Sequence, residues 1–263
     1  MIDAHIHLEQ YFQQHGLAAL GSMLQKLPGQ GVELLIAVSM NLESCVRTQQ
    51  IAALYPQLVK PAYGFHPEQP LPPEAELTAL LDWMEQHAAE MAAVGEIGLP
   101  YYSRAEALAR GEDFDMEPYV RLLDTFLGAA ARLGKPVVLH TVYEDALTAC
   151  ALLEKHGITK AHFHWFKGSR EAVDMMIERG YYISFTPDIV YEPEIRALAR
   201  LYPPQLVMAE TDGPWPFEGP FAGEPTHPAM IHEVAAAWGA LHGYSAAQAA
   251  DMLTANTARF YGG

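Results

Sequence analysis

His5 and His7 stand two positions apart in an alternating segment near the amino terminus, Ile2-Asp3-Ala4-His5-Ile6-His7-Leu8. A β-strand sends residues i and i+2 to the same side. The spacing therefore predicts two imidazoles on one face, with Asp3 there too, one step deeper, and Ile6 and Leu8 facing covering helices. Neutral imidazole is a common ligand of transition-metal ions, so the pair could hold a metal. A hydrogen-bonded pair of core histidines would give the same local pattern. Other apolar segments carry the same residue types: Gly95-Glu96-Ile97-Gly98, Val137-Val138-Leu139-His140, His162-Phe163-His164 and Ala209-Glu210-Thr211-Asp212. A carboxylate inside an apolar strand is costly unless it is paired or coordinated. Histidines and carboxylates converging from five strand ends have the composition of a two-metal site.

Such convergence needs a scaffold that brings many strand ends to one rim. Eight short, β-rich runs recur along the chain, at 2–8, 32–38, 59–66, 92–99, 136–141, 161–165, 181–186 and 206–212. Between them lie stretches with apolar residues at helical spacing, such as Leu123, Phe126, Leu127, Ala130 and Leu133, or Leu147, Ala151 and Leu152. Gly134 and Gly180 read as helix ends and Ser169 as a helix start. Strands alternating with helices pair in parallel through right-handed crossovers. Eight such units predict an α/β fold of the (β/α)8 TIM-barrel type, one domain over 1–263, with active-site loops at the C-terminal ends of the strands. An open doubly wound sheet is the alternative, but no Gly-rich phosphate loop follows the first run. The segments 100–115 and 213–228 read as long loops and candidate lids.

With 32 Asp+Glu against 16 Lys+Arg, the chain has a formal net charge of -16. That charge disfavours nucleic-acid backbones and anionic lipid unless positive charge is gathered locally. The two cysteines, Cys45 and Cys150, form no disulfide framework or Cys-x-x-Cys pair, which fits a reducing, cytoplasmic location. No apolar run has the length of a membrane span, no targeting segment is evident and nothing demands an obligate protein partner.

The ordered motifs Asp3-x-His5-x-His7, Gly64-Phe65-His66-Pro67, Gly95-Glu96-Ile97-Gly98-Leu99, His140, His164-x-Phe166-x-Gly168 and Glu210-Thr211-Asp212-x-Pro214 resemble those of the TatD family of metal-dependent hydrolases, within the amidohydrolase-like barrels. The match runs from Met1 through Asn256 and Arg259. The resemblance implies two divalent ions, one held by His5, His7 and Asp212, the other by His140 and His164, with Glu96 bridging. It also implies a bridging water as nucleophile, with Asp212 as base, and DNase activity on phosphodiester bonds. Magnesium is the ion often associated with the family; imidazole ligands also suit zinc or manganese.

Other residues are read from position. His66 is expected to contact the substrate or to support a ligand by hydrogen bonding. His162 reads as a core hydrogen-bonding histidine, and Glu210 as a carboxylate that orients a ligand. Lys167 and Arg170, flanking a helix start, are expected to favour an anion. Trp215 and Phe217 either stack on substrate or anchor a loop. His15, His87, His156, His232 and His242 read as surface residues. The chain departs from the family where Pro100 replaces an Asp, where residues 116–134 lack glutamine, and in a rebuilt segment 101–115. These changes bear on the substrate. Three functions remain in view: a phosphodiesterase acting on short or single-stranded DNA or another small anion, a hydrolase of small esters, lactones or amides, and a non-catalytic metal-binding protein.

Overall fold

The computed structural model describes residues 1–262. Eight strands lie side by side in chain order, every neighbouring pair parallel: β1 (Ile2–Ile6), β2 (Leu34–Ala37), β3 (Val59–Tyr63), β4 (Ala93–Gly98), β5 (Val137–His140), β6 (Ala161–Phe163), β7 (Tyr182–Phe185) and β8 (Val207–Ala209). Two backbone bonds join the segment after β8 to β1, Asp212 N–H to His5 O at 3.0 Å and His7 N–H to Gly213 O at 2.8 Å. The result is the expected (β/α)8 barrel.

The described residues form ten α-helices: α1 (Leu8–Lys26), broken at Gly16 with φ 77°, α2 (Leu42–Leu54), α3 (Glu74–Gln86), α4 (Tyr101–Ala109), α5 (Glu117–Leu133), α6 (Asp145–Lys155), α7 (Arg170–Glu178), α8 (Pro193–Leu201), α9 (Ile231–His242) and α10 (Ala246–Tyr261). The stripe on α5 buries Leu123, Phe126, Leu127 and Ala130, and the helix ends at Gly134 in the left-handed region. Ser169 Oγ accepts from Ala172 N–H, capping α7 as expected. On α6 the expected face is corrected: Ala151 is exposed, and Ala146, Ala149, Cys150 and Leu153 are buried instead. The segment 100–115 is likewise no plain loop, because nine of its residues form α4.

Side chains sort into two layers. Leu35, Ala37, Val94, Ile97, Val137, Leu139, Phe163 and Phe185 pack outward against the helices. Ile36, Val38, Ala62, Ala93, Val138 and Met208 fill the barrel interior with Ile2 and Ala4, closed below by Phe260 and Tyr261 of α10. The strands end earlier than the sequence runs. His66, His164 and Asp212 all lie beyond their strands, so the rim rather than the ladder carries them.

Two register irregularities decide which way the chemistry points. The β1–β2 ladder slips between Asp3 and Ile6, and the β4–β5 ladder between Val94 and Ile97. Such a bulge lets two consecutive side chains face the same way. Ala4 packs inside the barrel and Ile6 outside, so His5 and His7 face the axis, while Asp3 does not share their face as strict alternation requires. On β4, Ala93 faces in while Val94 and Ile97 face out, and the slip turns Glu96 inward. Glycines make room: a Cβ on Gly98 would lie 1.9 Å from His140 O, and one on Gly64 would lie 2.7 Å from Glu96 O.

Candidate metal centre

Glu96 is fully buried and its two oxygens face two different groups of histidines. Oε2 lies 3.2 Å from both His5 Nε2 and His7 Nε2. Oε1 lies 2.7 Å from His164 Nε2, 2.9 Å from His140 Nδ1 and 3.3 Å from His66 Nε2. Asp212 Oδ1 closes the first group, 3.2 Å from His5 Nε2 and 3.4 Å from His7 Nε2. The expected ligands His5, His7, Glu96, His140, His164 and Asp212 are thus brought together, and His66 joins them on the Glu96 Oε1 side.

The donor set fits divalent ions. All the atoms are nitrogen or carboxylate oxygen, as intermediate and hard cations require. Glu96 Oε2 and Asp212 Oδ1 are buried without a hydrogen-bond partner. Ring nitrogens face one another at 3.4 Å between His5 and His7 and at 3.3 Å between His140 and His164. Two lone pairs in that position repel unless a proton or a cation lies between them.

The cluster's charges say the same. Burial pulls the imidazoles down, yet Asp212, Glu9 and Glu96 hold His7 well above its ordinary value, and Glu96 and Glu210 do so for His164. Burial alone would raise the carboxylates, but the surrounding histidines hold Glu96 well below and Asp212 below the usual range. His66 moves the other way, lowered by burial. Two fixed negative charges in a buried floor thus draw positive charge to themselves.

Supporting contacts come from the chain around the ligands. Asp212 sits at φ 48° and Trp165, next to His164, at φ 38°. Trp165 N–H donates to Glu210 Oε1 at 2.7 Å, and that oxygen lies 3.6 Å from His164 Nδ1. His162 is a core histidine as expected, bonded to Tyr261 Oη at 2.8 Å and Ser184 Oγ at 2.6 Å. Two carboxylates escaped the sequence reading. Glu9, buried at the start of α1, stands 3.7 Å from His7 Nδ1. Glu68, in the segment after β3, stands 3.3 Å from His140 Nε2. Glu9 shows only as an acidic residue two positions past His7, and Glu68 carries no periodic signal at all.

Above this floor a cavity of about 640 Å3 opens between Met40, Glu68, Tyr102, Ser103, Glu106, Val142, Trp165, Lys167 and Trp215. Trp215 is 58% exposed and meets Trp165 edge-on, whereas Phe217 is buried against Trp165 as an anchor. Lys167 lines the cavity with its Nζ 3.9 Å from Asp188 Oδ2. Arg170 does not line it; its guanidinium pairs with Asp174 on the exposed side of α7. Of the five histidines read as surface residues, only His15 is exposed and the other four are half-buried; His87 stacks on Trp83 and His242 packs on Trp238. No described helix is long and apolar enough to cross a membrane, and both cysteines are buried thiols.

The sequence matches the family described as TatD related DNase over residues 2–262. A Haemophilus influenzae protein named an uncharacterized metal-dependent hydrolase is 35% identical over 83% of each chain. Human deoxyribonuclease TATDN3 is 26% identical over 81% of this chain and 78% of that one. The crystal structure of the TatD homologue YjjV from Escherichia coli superposes with a TM-score of 0.85 and 25% identity, covering 100% of this chain and 98% of the other.

Proposed function

Because the chain belongs to the family of TatD related DNases, and with it to the metal-dependent hydrolases, we propose that it hydrolyses phosphodiester bonds in short or single-stranded DNA or in small diesters. In this reading two divalent ions, zinc, magnesium or manganese, are its cofactors. His5, His7 and Asp212 would hold one, His140 and His164 the other, and Glu96 would be shared between them. The observation that carries the reading is the division of the Glu96 carboxylate, Oε2 toward His5 and His7, Oε1 toward His140 and His164.

Divalent ions bound there supply Lewis acidity and make water acidic enough to attack at neutral pH. The chain's own residues do the rest. Asp212, kept ionised by His5 and His7, accepts the proton that the attacking water gives up. His66, kept neutral by burial, offers a ring N–H to a phosphoryl oxygen. Lys167 and Trp215, on the cavity wall, hold the phosphate flank and the body of the substrate. The net charge of -16 sets the limit on size, since the walls present Glu68 and Glu106 and a single ammonium already facing Asp188. The same acidic, partly apolar wall favours a second reading, hydrolysis of a small uncharged ester or lactone. A cytoplasmic location and the absence of an obligate protein partner complete the proposal.

The test loads the purified protein separately with each of the three ions. It then assays a short single-stranded oligodeoxynucleotide, bis(4-nitrophenyl) phosphate and a panel of aryl esters and lactones. Diester cleavage that chelation and Glu96→Ala both abolish is the expected result. Turnover of esters or lactones alone would overturn it in favour of the second reading.

A further inference from the structure

We infer that Glu68 is a positioning residue that serves the floor and the wall of the site with one carboxylate, orienting His140 and fastening α4. The inference rests on the metal-dependent reading above. Glu68 lies two residues beyond His66, and its side chain is 15% exposed. Its Oε1 accepts from Tyr102 N–H at 2.8 Å and its Oε2 from Ser103 N–H at 2.7 Å. These are first-turn amides of α4, which have no acceptor within the helix. Pro100, at the cap position of α4, supplies no side-chain bond, and the first turn holds no acidic residue. A carboxylate from the neighbouring loop therefore does what a local cap would do.

The same Oε1 lies 3.3 Å from His140 Nε2. An ionised carboxylate only accepts, and Glu68 already accepts from the two backbone amides of α4. The contact therefore requires the proton on Nε2 of His140. That leaves the lone pair on Nδ1, the atom 2.9 Å from Glu96 Oε1 and 3.3 Å from His164 Nε2. Glu68 thus selects the tautomer in which His140 can bind a cation beside Glu96. A carboxylate behind a ligand histidine commonly has this effect. What is particular here is that the carboxylate is also the anchor of α4, which brings Tyr102, Ser103 and Glu106 to the cavity. Arg104 ties the same helix to Glu144 at 2.9 Å and Asp145 at 2.8 Å, without touching His140.

That second tether provides the control. Zinc and manganese binding to full-length wild type, Glu68→Gln, Glu68→Ala and Arg104→Ala is measured by calorimetry, and KM and kcat are measured on bis(4-nitrophenyl) phosphate at saturating metal. Thermal melts report folding; should Glu68→Ala fail to fold, the isosteric Glu68→Gln carries the test. In Glu68→Gln one ion should bind roughly 10- to 100-fold more weakly, the other should be unchanged, and KM should rise. Arg104→Ala should raise KM with both metal affinities kept. Wild-type metal affinity in Glu68→Gln overturns the role at His140. Equal weakening of metal binding in Arg104→Ala also overturns it, by making the effect a general loosening. A wild-type protein that takes up no divalent ion fails the metal reading itself, before any variant is compared.

Discussion

The Asp3 carboxylate accepts two hydrogen bonds from Thr211, one from its backbone N–H at 3.0 Å and one from its hydroxyl at 2.5 Å, across 208 positions of chain. Burial pushes Asp3 up to about 7, partly offset by these bonds. The pair sits on the seam where β8 meets β1, beside the backbone bonds from Asp212 to His5 and from His7 to Gly213. It sets the register between His5 and His7 on one side and Asp212 on the other.

Thr211→Val should therefore destabilise the protein by about 1–3 kcal/mol, because a buried carboxylate oxygen loses its donor. It should also weaken metal binding by the His5, His7 and Asp212 group. Denaturant unfolding and metal titration on the same samples test both halves. A loss of stability with metal binding untouched would separate the seam from the site.

Glu96→Ala should lower kcat more than His66→Ala. Glu96 touches both histidine groups, whereas His66 reaches only its Oε1 side. Removing the shared carboxylate should cost roughly 10^3-fold or more, against roughly 10- to 100-fold for one support or substrate contact. Steady-state kinetics with metal content measured on each variant is the check. Wild-type activity in Glu96→Ala would remove it from the mechanism.

Metal loading should stabilise the protein increasingly as pH rises. His7 and His164 are held above the ordinary 6.5. Their contribution is complete below 6.5 and disappears as pH climbs through the raised values. Glu96 and Asp212 are held below their ordinary 4.5 and 3.8, so their contribution is complete above those values and is lost only in acid. After chelation the cluster is best satisfied between these limits. Above the raised histidine range a divalent ion replaces the positive charge that protons supplied. Thermal melts with and without zinc across pH 5–9 should show a widening gap in Tm; a constant gap would contradict the assignment.

Much of this site is legible in the sequence, for identifiable reasons. His5 and His7 follow the two-residue period of a strand. His140 and His164 stand at the ends of apolar runs, and Ser169 and Gly134 mark helix boundaries by their own chemistry. What stays hidden depends on contacts distant in sequence. Asp3 departs from the expected face because a bulge interrupts the alternation, and Glu96 turns inward for the same reason on β4. The helix α4 is invisible because Tyr-Tyr-Ser-Arg-Ala-Glu-Ala-Leu-Ala has little apolar periodicity and its cap comes from Glu68. Lys167 is a lysine after a strand in the sequence; only the fold places Asp188 beside it.

Long duplex DNA should be a poor substrate. The charge of ions bound in the floor would be screened beyond a Debye length of about 8 Å at physiological salt, and the chain as a whole carries a formal net charge of -16. We expect higher kcat/KM on a short oligonucleotide than on a long duplex. The duplex should lose less on moderate addition of salt than it would with a basic nuclease. Both substrates at two salt concentrations decide it. A duplex preference that collapses with salt would mean a basic track on the surface.

The nine-residue helix α4 is fastened by side-chain bonds from Glu68 and Arg104, while the ligands stand at the strand ends of the barrel. Chemistry and selectivity thus meet at the Glu68 carboxylate. With Glu68 and Arg104 kept, substitutions at Tyr102, Ser103 and Glu106 can redraw what the cavity admits while the reacting groups keep their places. For an engineer, this helix is the first place to randomise when a new substrate is wanted.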